Sequence, residues 1–266
     1  MALGNVYWDW TALQRDDAVP SILAIGDSWF WYPFPGGSLL SRLGPLVAPT
    51  SQTILAFGNN GAKARDYVAG KYRSAVRTAL RLHGLTLSAV FLSGGGNDFA
   101  GFNDLRPMLN RDCSLAQSVG DCFASGPQAG TLDALMQEMA QNYRMLVEQM
   151  FAATPAACRI VLHNYDFAIP TGQGLFGHEG SWLKPALDNA RVPPQLQREC
   201  VRQVLLRFTE VLRETVQIEP ARIVLVDSSG TLNDADWANE LHPTPAGFTK
   251  IAQERWLPVL QTIGVA

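Results

Sequence analysis

The chain has 266 residues, enough to bury a substantial core without help from metals or disulfides. Lysine and arginine number 21 against 24 aspartates and glutamates, a formal net charge of -3 with no long basic run to follow a nucleic-acid backbone. Hydrophobic residues make up 47% of the chain, yet no apolar run reaches the roughly 18 residues a membrane-spanning helix needs, so neither a nucleic-acid partner nor a membrane span is expected.

The N-terminal segment lacks a basic stretch followed by an apolar run. A cytoplasmic location is therefore expected, with an exported form whose signal peptide has been removed as the alternative. Residues 22–25 are the first predicted strand, and Gly26-Asp27-Ser28 follows it directly. Residues 53–57 are the second, followed by Gly58, Gly61 and a helical stretch over 62–82. The third, 89–92, runs into Gly94-Gly95-Gly96-Asn97. A helix over 131–151 repeats apolar residues at helical spacing, with Thr131 as its cap and Asp133 at the positive end of its dipole. Strands at 160–162 and 223–226 flank a helix over 194–216. A last helix starts at Thr244-Pro245, a capping residue followed by proline at the first helical position.

Every strand run is continuously apolar instead of alternating, as expected for strands buried on both faces. Strands separated by helices imply an α/β fold with a mostly parallel sheet covered on both sides, its sites at the carboxyl ends of the strands. No repeat or clear linker divides the chain, so one domain over 1–266 is expected, with loop insertions at about 99–130 and 166–194. These insertions are candidate substrate walls or surface decoration. Cys113 and Cys122 lie close enough in sequence for a disulfide or two thiols, while Cys158 and Cys200 read as isolated buried thiols.

Ser28 ends the first strand, where a helical turn would aim backbone N–H groups at its oxygen. Gly-Asp-Ser alone is ordinary turn chemistry. His242 lies on a rigid turn just before the Thr244-Pro245 cap and could take the serine proton and return it to a leaving alcohol. Of the other histidines, His163 ends a strand and His178 lies in the second insertion. The Gly61 N–H, the Asn97 side-chain amide and the Ser28 N–H could together hold an oxyanion. Each block has a bland reading as a strand–helix turn, but neither a Walker loop nor a dinucleotide fingerprint is present. Asp98, Asp166 and the histidines lack metal-ligand spacing, so neither a metal nor a cofactor is expected.

Taken in order, GDSWF, GNNG, GGND and NELHPTPAGF resemble the four blocks of the SGNH subgroup of GDSL-like esterases and lipases, over nearly the whole chain. The resemblance implies a flavodoxin-like, three-layer α/β/α sandwich around a five-stranded parallel sheet. It also implies that Ser28 attacks, that Gly61 and Asn97 help hold the oxyanion, and that His242 is the base. One position departs from the pattern: the family usually carries aspartate three residues before the histidine, and here that residue is Asn239. Three solutions stay open. Asp236 turns inward; or Asp227, Asp234 or Glu240 supplies the carboxylate; or Asn239 or a backbone carbonyl completes a dyad-like arrangement.

Trp29, Phe30 and Trp31, with Tyr32, Pro33 and Phe34, could wall an acyl site or stack on a sugar, and core packing is an equal reading for each. Phe99, Phe102, Phe167, Leu175, Phe176, His178 and Trp182 add possible lining. The expected substrate is a small-molecule or glycan ester with an apolar acyl group. Alternatives are a carbohydrate O-acetyl esterase and a non-catalytic binding module on the same fold. Oligomeric state is not legible.

Overall fold

The computed structural model describes residues 4–31, 37–126, 128–175, 177 and 180–266. His178, Phe176, Tyr32, Pro33 and Phe34 lie outside the described residues.

Six strands form one parallel sheet: β1 (Val6–Tyr7), β2 (Ile22–Gly26), β3 (Ile54–Gly58), β4 (Ala89–Ser93), β5 (Arg159–His163) and β6 (Ile223–Val226), in the order β1-β3-β2-β4-β5-β6. Five match the apolar runs of the sequence to within a residue or two at each end. The sixth, β1, is a two-residue edge strand paired with β3 through Val6↔Ile54, too short to leave a periodic signal. β2 and β4 are buried along their whole length, as strands covered on both faces must be.

The crossovers explain the layers. The chain steps from β2 to β3 in one direction and from β3 back past β2 to β4 in the other. Right-handed connections therefore place the first crossover helix, Leu39–Val47, on one face and the later ones on the opposite face. Contacts agree: Leu39–Val47 packs with the C-terminal helix Pro245–Ile251, while Leu132–Ala153 packs with Ala64–Val68, Arg73–His83 and Pro194–Val216. The result is a three-layer α/β/α sandwich. Helix 62–82 of the sequence reading is in fact two helices, Ala64–Val68 and Arg73–His83, broken around Gly70. Thr131 caps its helix as expected, its hydroxyl accepting from the Ala134 N–H at 3.3 Å.

The reversal of direction puts the loops after β2 and β4 on diverging paths, which opens a crevice at their carboxyl ends. Gly26 makes the approach possible, because a Cβ there would lie 2.5 Å from the Ser93 carbonyl oxygen. The Cys113–Cys122 disulfide does not form: all four cysteines are free, buried thiols, and the Cys113 thiol donates to the Cys122 carbonyl at 3.5 Å. Among the described residues no helix is long and apolar enough to cross a membrane, and no cluster of His, Cys, Asp and Glu has the makings of a metal site.

Candidate active site

After β2 the ladder continues one residue further, with the Asp27 N–H donating to the Ser93 carbonyl at 2.9 Å. The chain then turns sharply. Phe30 and Trp31 donate back to the Asp27 carbonyl, and the Trp29 N–H donates to the Asp27 carboxylate at 3.0 Å. Ser28 sits at the head of that turn, and its own N–H has no acceptor among the described residues.

His242 is held from the other side of the crevice. The Ala238 N–H donates to the His242 carbonyl at 2.9 Å, and the Thr244 N–H to the Asp236 carbonyl at 2.7 Å, closing a tight loop. Thr244 then caps helix Pro245–Ile251 through the Gly247 N–H. The two turns are tied to each other as well: the indole N–H of Trp29 donates to the Leu241 carbonyl at 2.9 Å. His242 Nε2 lies 2.8 Å from Ser28 Oγ. Both side chains are buried, with Ser28 9% and His242 5% exposed.

Nδ1 of His242 is 3.1 Å from Asn239 Oδ1, which also accepts from the backbone N–H groups of Leu241 (3.0 Å) and His242 (2.9 Å). Two backbone donors identify that atom as the amide oxygen and not the nitrogen. Nδ1 must then carry the ring proton, which leaves Nε2 as an acceptor facing the serine hydroxyl. Burial pushes the His242 imidazole down to about 4, so the ring is neutral at pH 7. The ring of Trp182 meets it edge-on at 5.8 Å.

The carboxylates considered for the orienting role are engaged elsewhere. Asp236 accepts from the Asn233 N–H at 2.8 Å and faces Lys250 at 3.5 Å, so of the three open solutions the inward-turned Asp236 is not the one this geometry takes. Asp227 binds Asn164, Ser229 and Arg213, and Asp234 binds Arg198. Glu240 is fully buried, where it accepts from four backbone N–H groups: Gly172 (2.9 Å), Trp182 (2.6 Å), Leu183 (2.8 Å) and Lys184 (3.1 Å). It clamps the second insertion onto the histidine loop. From the sequence Glu240 stands out only as a candidate triad carboxylate, because its partners are main-chain groups far away in the chain.

Asn97 follows β4 and lines a cavity together with Asp27, Ser28 and Gly96. Its amide nitrogen is 3.2 Å from Asp27 Oδ2 and 3.1 Å from the Ala62 carbonyl. Asp27 itself accepts from the Tyr165 hydroxyl at 2.7 Å, and burial raises its carboxyl to about 6 against that hydrogen bond. Gly61 occupies an exposed turn at φ +76° and does not line this cavity.

The aromatic candidates separate. Trp29 lines the cavity, and so does Phe99. Phe30 points into the core, stacked on His163 and tilted against Trp256. Trp31 lines a different space, of about 280 Å³, with Trp8, Trp10 and Tyr72. Phe167 lies under the Arg202 guanidinium at 4.8 Å and does not reach the cavity. His163 is wholly buried between Ser93 and Ser228, a core histidine. Tyr165, which the sequence reading did not single out, lines the cavity and anchors Asp27.

No protein-family model matches the chain, and no curated protein matches it in sequence. Solved structures do. The lipase Lip_vut3 from a goat rumen metagenome superposes with a TM-score of 0.58 at 13% identity, over 93% of this chain and 99% of that one. Phospholipase A1 from Streptomyces albidoflavus NA297 gives 0.55 at 16% identity, over 92% and 99%. A protein from Slackia heliotrinireducens assigned as an SGNH hydrolase gives 0.51 at 14%, over 88% and 96%. The chain has the SGNH hydrolase fold. Within that fold the six-stranded sheet is flavodoxin-like, and the extra edge strand β1 lies at the far side from β5 and β6.

Proposed function

We propose that this SGNH-fold protein is a serine carboxylic-ester hydrolase that works through an acyl-enzyme. The observation that carries the reading is the continuous hydrogen-bonded series Ser28 Oγ, His242 Nε2, His242 Nδ1 and Asn239 Oδ1, with links of 2.8 and 3.1 Å. Neutral imidazole accepts the serine proton as Ser28 Oγ bonds to the ester carbonyl carbon, and the imidazolium then gives that proton to the departing alcohol. A water activated by the same nitrogen cleaves the acyl-enzyme and regenerates Ser28. Asn239 holds the ring in the tautomer this cycle needs.

Negative charge on the carbonyl oxygen is assigned to the N–H of Ser28 and the amide of Asn97, while Gly61, on an exposed turn outside the cavity, is left without the oxyanion role that the resemblance implies. Asn97 exchanges its link to Asp27 or to Ala62 for one to the oxyanion as charge develops. Such donors contribute on the order of 3 kcal/mol each to transition-state stabilisation. Support for the ester class comes from the fold shared with the lipase and phospholipase named above. An alkyl phosphonofluoridate tests the reading directly. A stable adduct on Ser28, absent from Ser28→Ala and strongly slowed in His242→Ala, is the expected result. Folded protein that is not labelled at Ser28 refutes it and favours a binding module.

A further inference from the structure

The cavity beside Ser28 measures about 30 Å³ and is lined by Ser28, Asn97, Phe99, Tyr165, Ala168 and Leu205 among others. We propose that it is an acyl pocket that admits two- and three-carbon acyl groups and turns longer chains away, an inference that rests on the ester-hydrolase reading. The assignment of acyl group rather than alcohol follows from the proton route. A leaving alcohol must face His242 Nε2 to be protonated, and His242 does not line this cavity, whereas Ser28 and Asn97 do. The acyl substituent therefore points into it and the alcohol lies on the Trp182 side.

The size decides the class. One water-sized centre needs roughly 10–15 Å³ of such volume, so the space holds about two. Sites for ligands of drug size run to about 300 Å³ or more. Acetyl and propionyl substituents fit; octanoyl does not.

The wall is also stiff. The Tyr165 hydroxyl accepts from the Gly96 N–H at 3.1 Å and donates to Asp27 at 2.7 Å, so the ring is fixed at its far end. Its face stacks on Phe208 at 5.8 Å and meets Trp29 edge-on at 5.1 Å. Leu205 is buried on the long helix Pro194–Val216, and Phe99 packs against Phe208 from the same helix. Deepening the pocket on that side would require breaking the Tyr165 anchors or moving that helix.

The test compares kcat/KM for p-nitrophenyl acetate, propionate, butyrate and octanoate in the wild type, Leu205→Ala and Ala168→Leu, with phosphonofluoridate labelling of Ser28 in parallel. The first methylene beyond propionyl, in the butyrate, is expected to lower wild-type kcat/KM roughly 10- to 200-fold, with octanoate poorer still. Leu205→Ala deepens the pocket and should raise the butyrate-to-acetate ratio at least about 10-fold. Ala168→Leu fills it and should lower the propionate-to-acetate ratio, a result that stands even where Leu205→Ala fails to fold. Wild-type hydrolysis of octanoate within tenfold of acetate, with Ser28 labelled, overturns the pocket and leaves the ester reading intact. Absence of both labelling and hydrolysis overturns both.

Discussion

Replacing Asn239 by aspartate isolates the one position at which the candidate site departs from the carboxylate-assisted pattern of the resemblance, and so tests the proposed role of His242. The side chains are nearly isosteric, and the oxygen that accepts from Leu241 and His242 can do so equally well as a carboxylate oxygen. Those two backbone donors favour its ionised form despite burial. In the variant a negative charge stands about 3 Å from Nδ1, where the wild type has a neutral amide at 3.1 Å. An opposite charge within about 4–6 Å shifts a pKa by roughly 1–3 units, here upward for His242. Each unit is about 1.4 kcal/mol of preference for imidazolium, so the protonated base formed during acyl transfer gains at most roughly 1.4–4 kcal/mol. Activity requires neutral imidazole before the reaction starts. The acid limb of kcat/KM should therefore lie near the wild-type value of about 4 and move to roughly 5–7 in Asn239→Asp. The plateau above that limb should rise, by a factor bounded at roughly 10 to 1,000. The assay is kcat/KM for a soluble acetate ester across pH 3 to 9. An unmoved acid limb together with an unchanged plateau would refute the view that Asn239 governs the charge state of His242.

Ser28→Ala and His242→Ala should each lower ester hydrolysis by at least about a thousandfold while leaving the circular dichroism spectrum unchanged, because in the proposed mechanism the hydrogen-bonded pair acts as a unit. Glu240→Gln replaces a buried carboxylate that serves four backbone donors with an amide whose NH2 opposes them. A loss of roughly 2–4 kcal/mol is expected, seen as a Tm lowered by roughly 5–15 °C and as faster amide exchange over residues 172–184; unchanged exchange there would discount the clamp. Burial holds His163 neutral, down at about 3. Below pH 6.5 the unfolded chain takes up a proton at this position that the fold does not, so stability falls as pH drops from 6.5 toward 3. His163→Gln cannot titrate, and urea unfolding between pH 5 and 6 should show a slope shallower by up to about 1.4 kcal/mol per pH unit. Equal slopes in the two proteins would contradict a buried neutral ring.

Five strands and the long helices were legible in the sequence because their signals are local. An apolar run such as 89–92 has to be buried on both faces, and Thr131 and Thr244 cap helices whatever the rest of the chain does. The order of the blocks around Ser28, Asn97 and His242 was legible for a related reason: each follows a strand, and parallel strands bring their following loops to one edge. What was not legible depends on direction. Phe30 and Trp31 are neighbours in the chain, yet one is core and the other lines a separate space, because the turn after Ser28 sends them to different sides.

The sequence by itself therefore determined the layered fold and which alcohol and imidazole could share a crevice. Only the tertiary structure decided what orients the imidazole. Asp236 is three residues from Asn239, but its carboxylate is drawn to the Asn233 N–H and Lys250, while the Asn239 amide is folded under the histidine by its own backbone donors. Spacing brings such groups within reach of each other, but which one arrives is settled by the competing hydrogen bonds available to each, and most of those partners lie elsewhere in the chain.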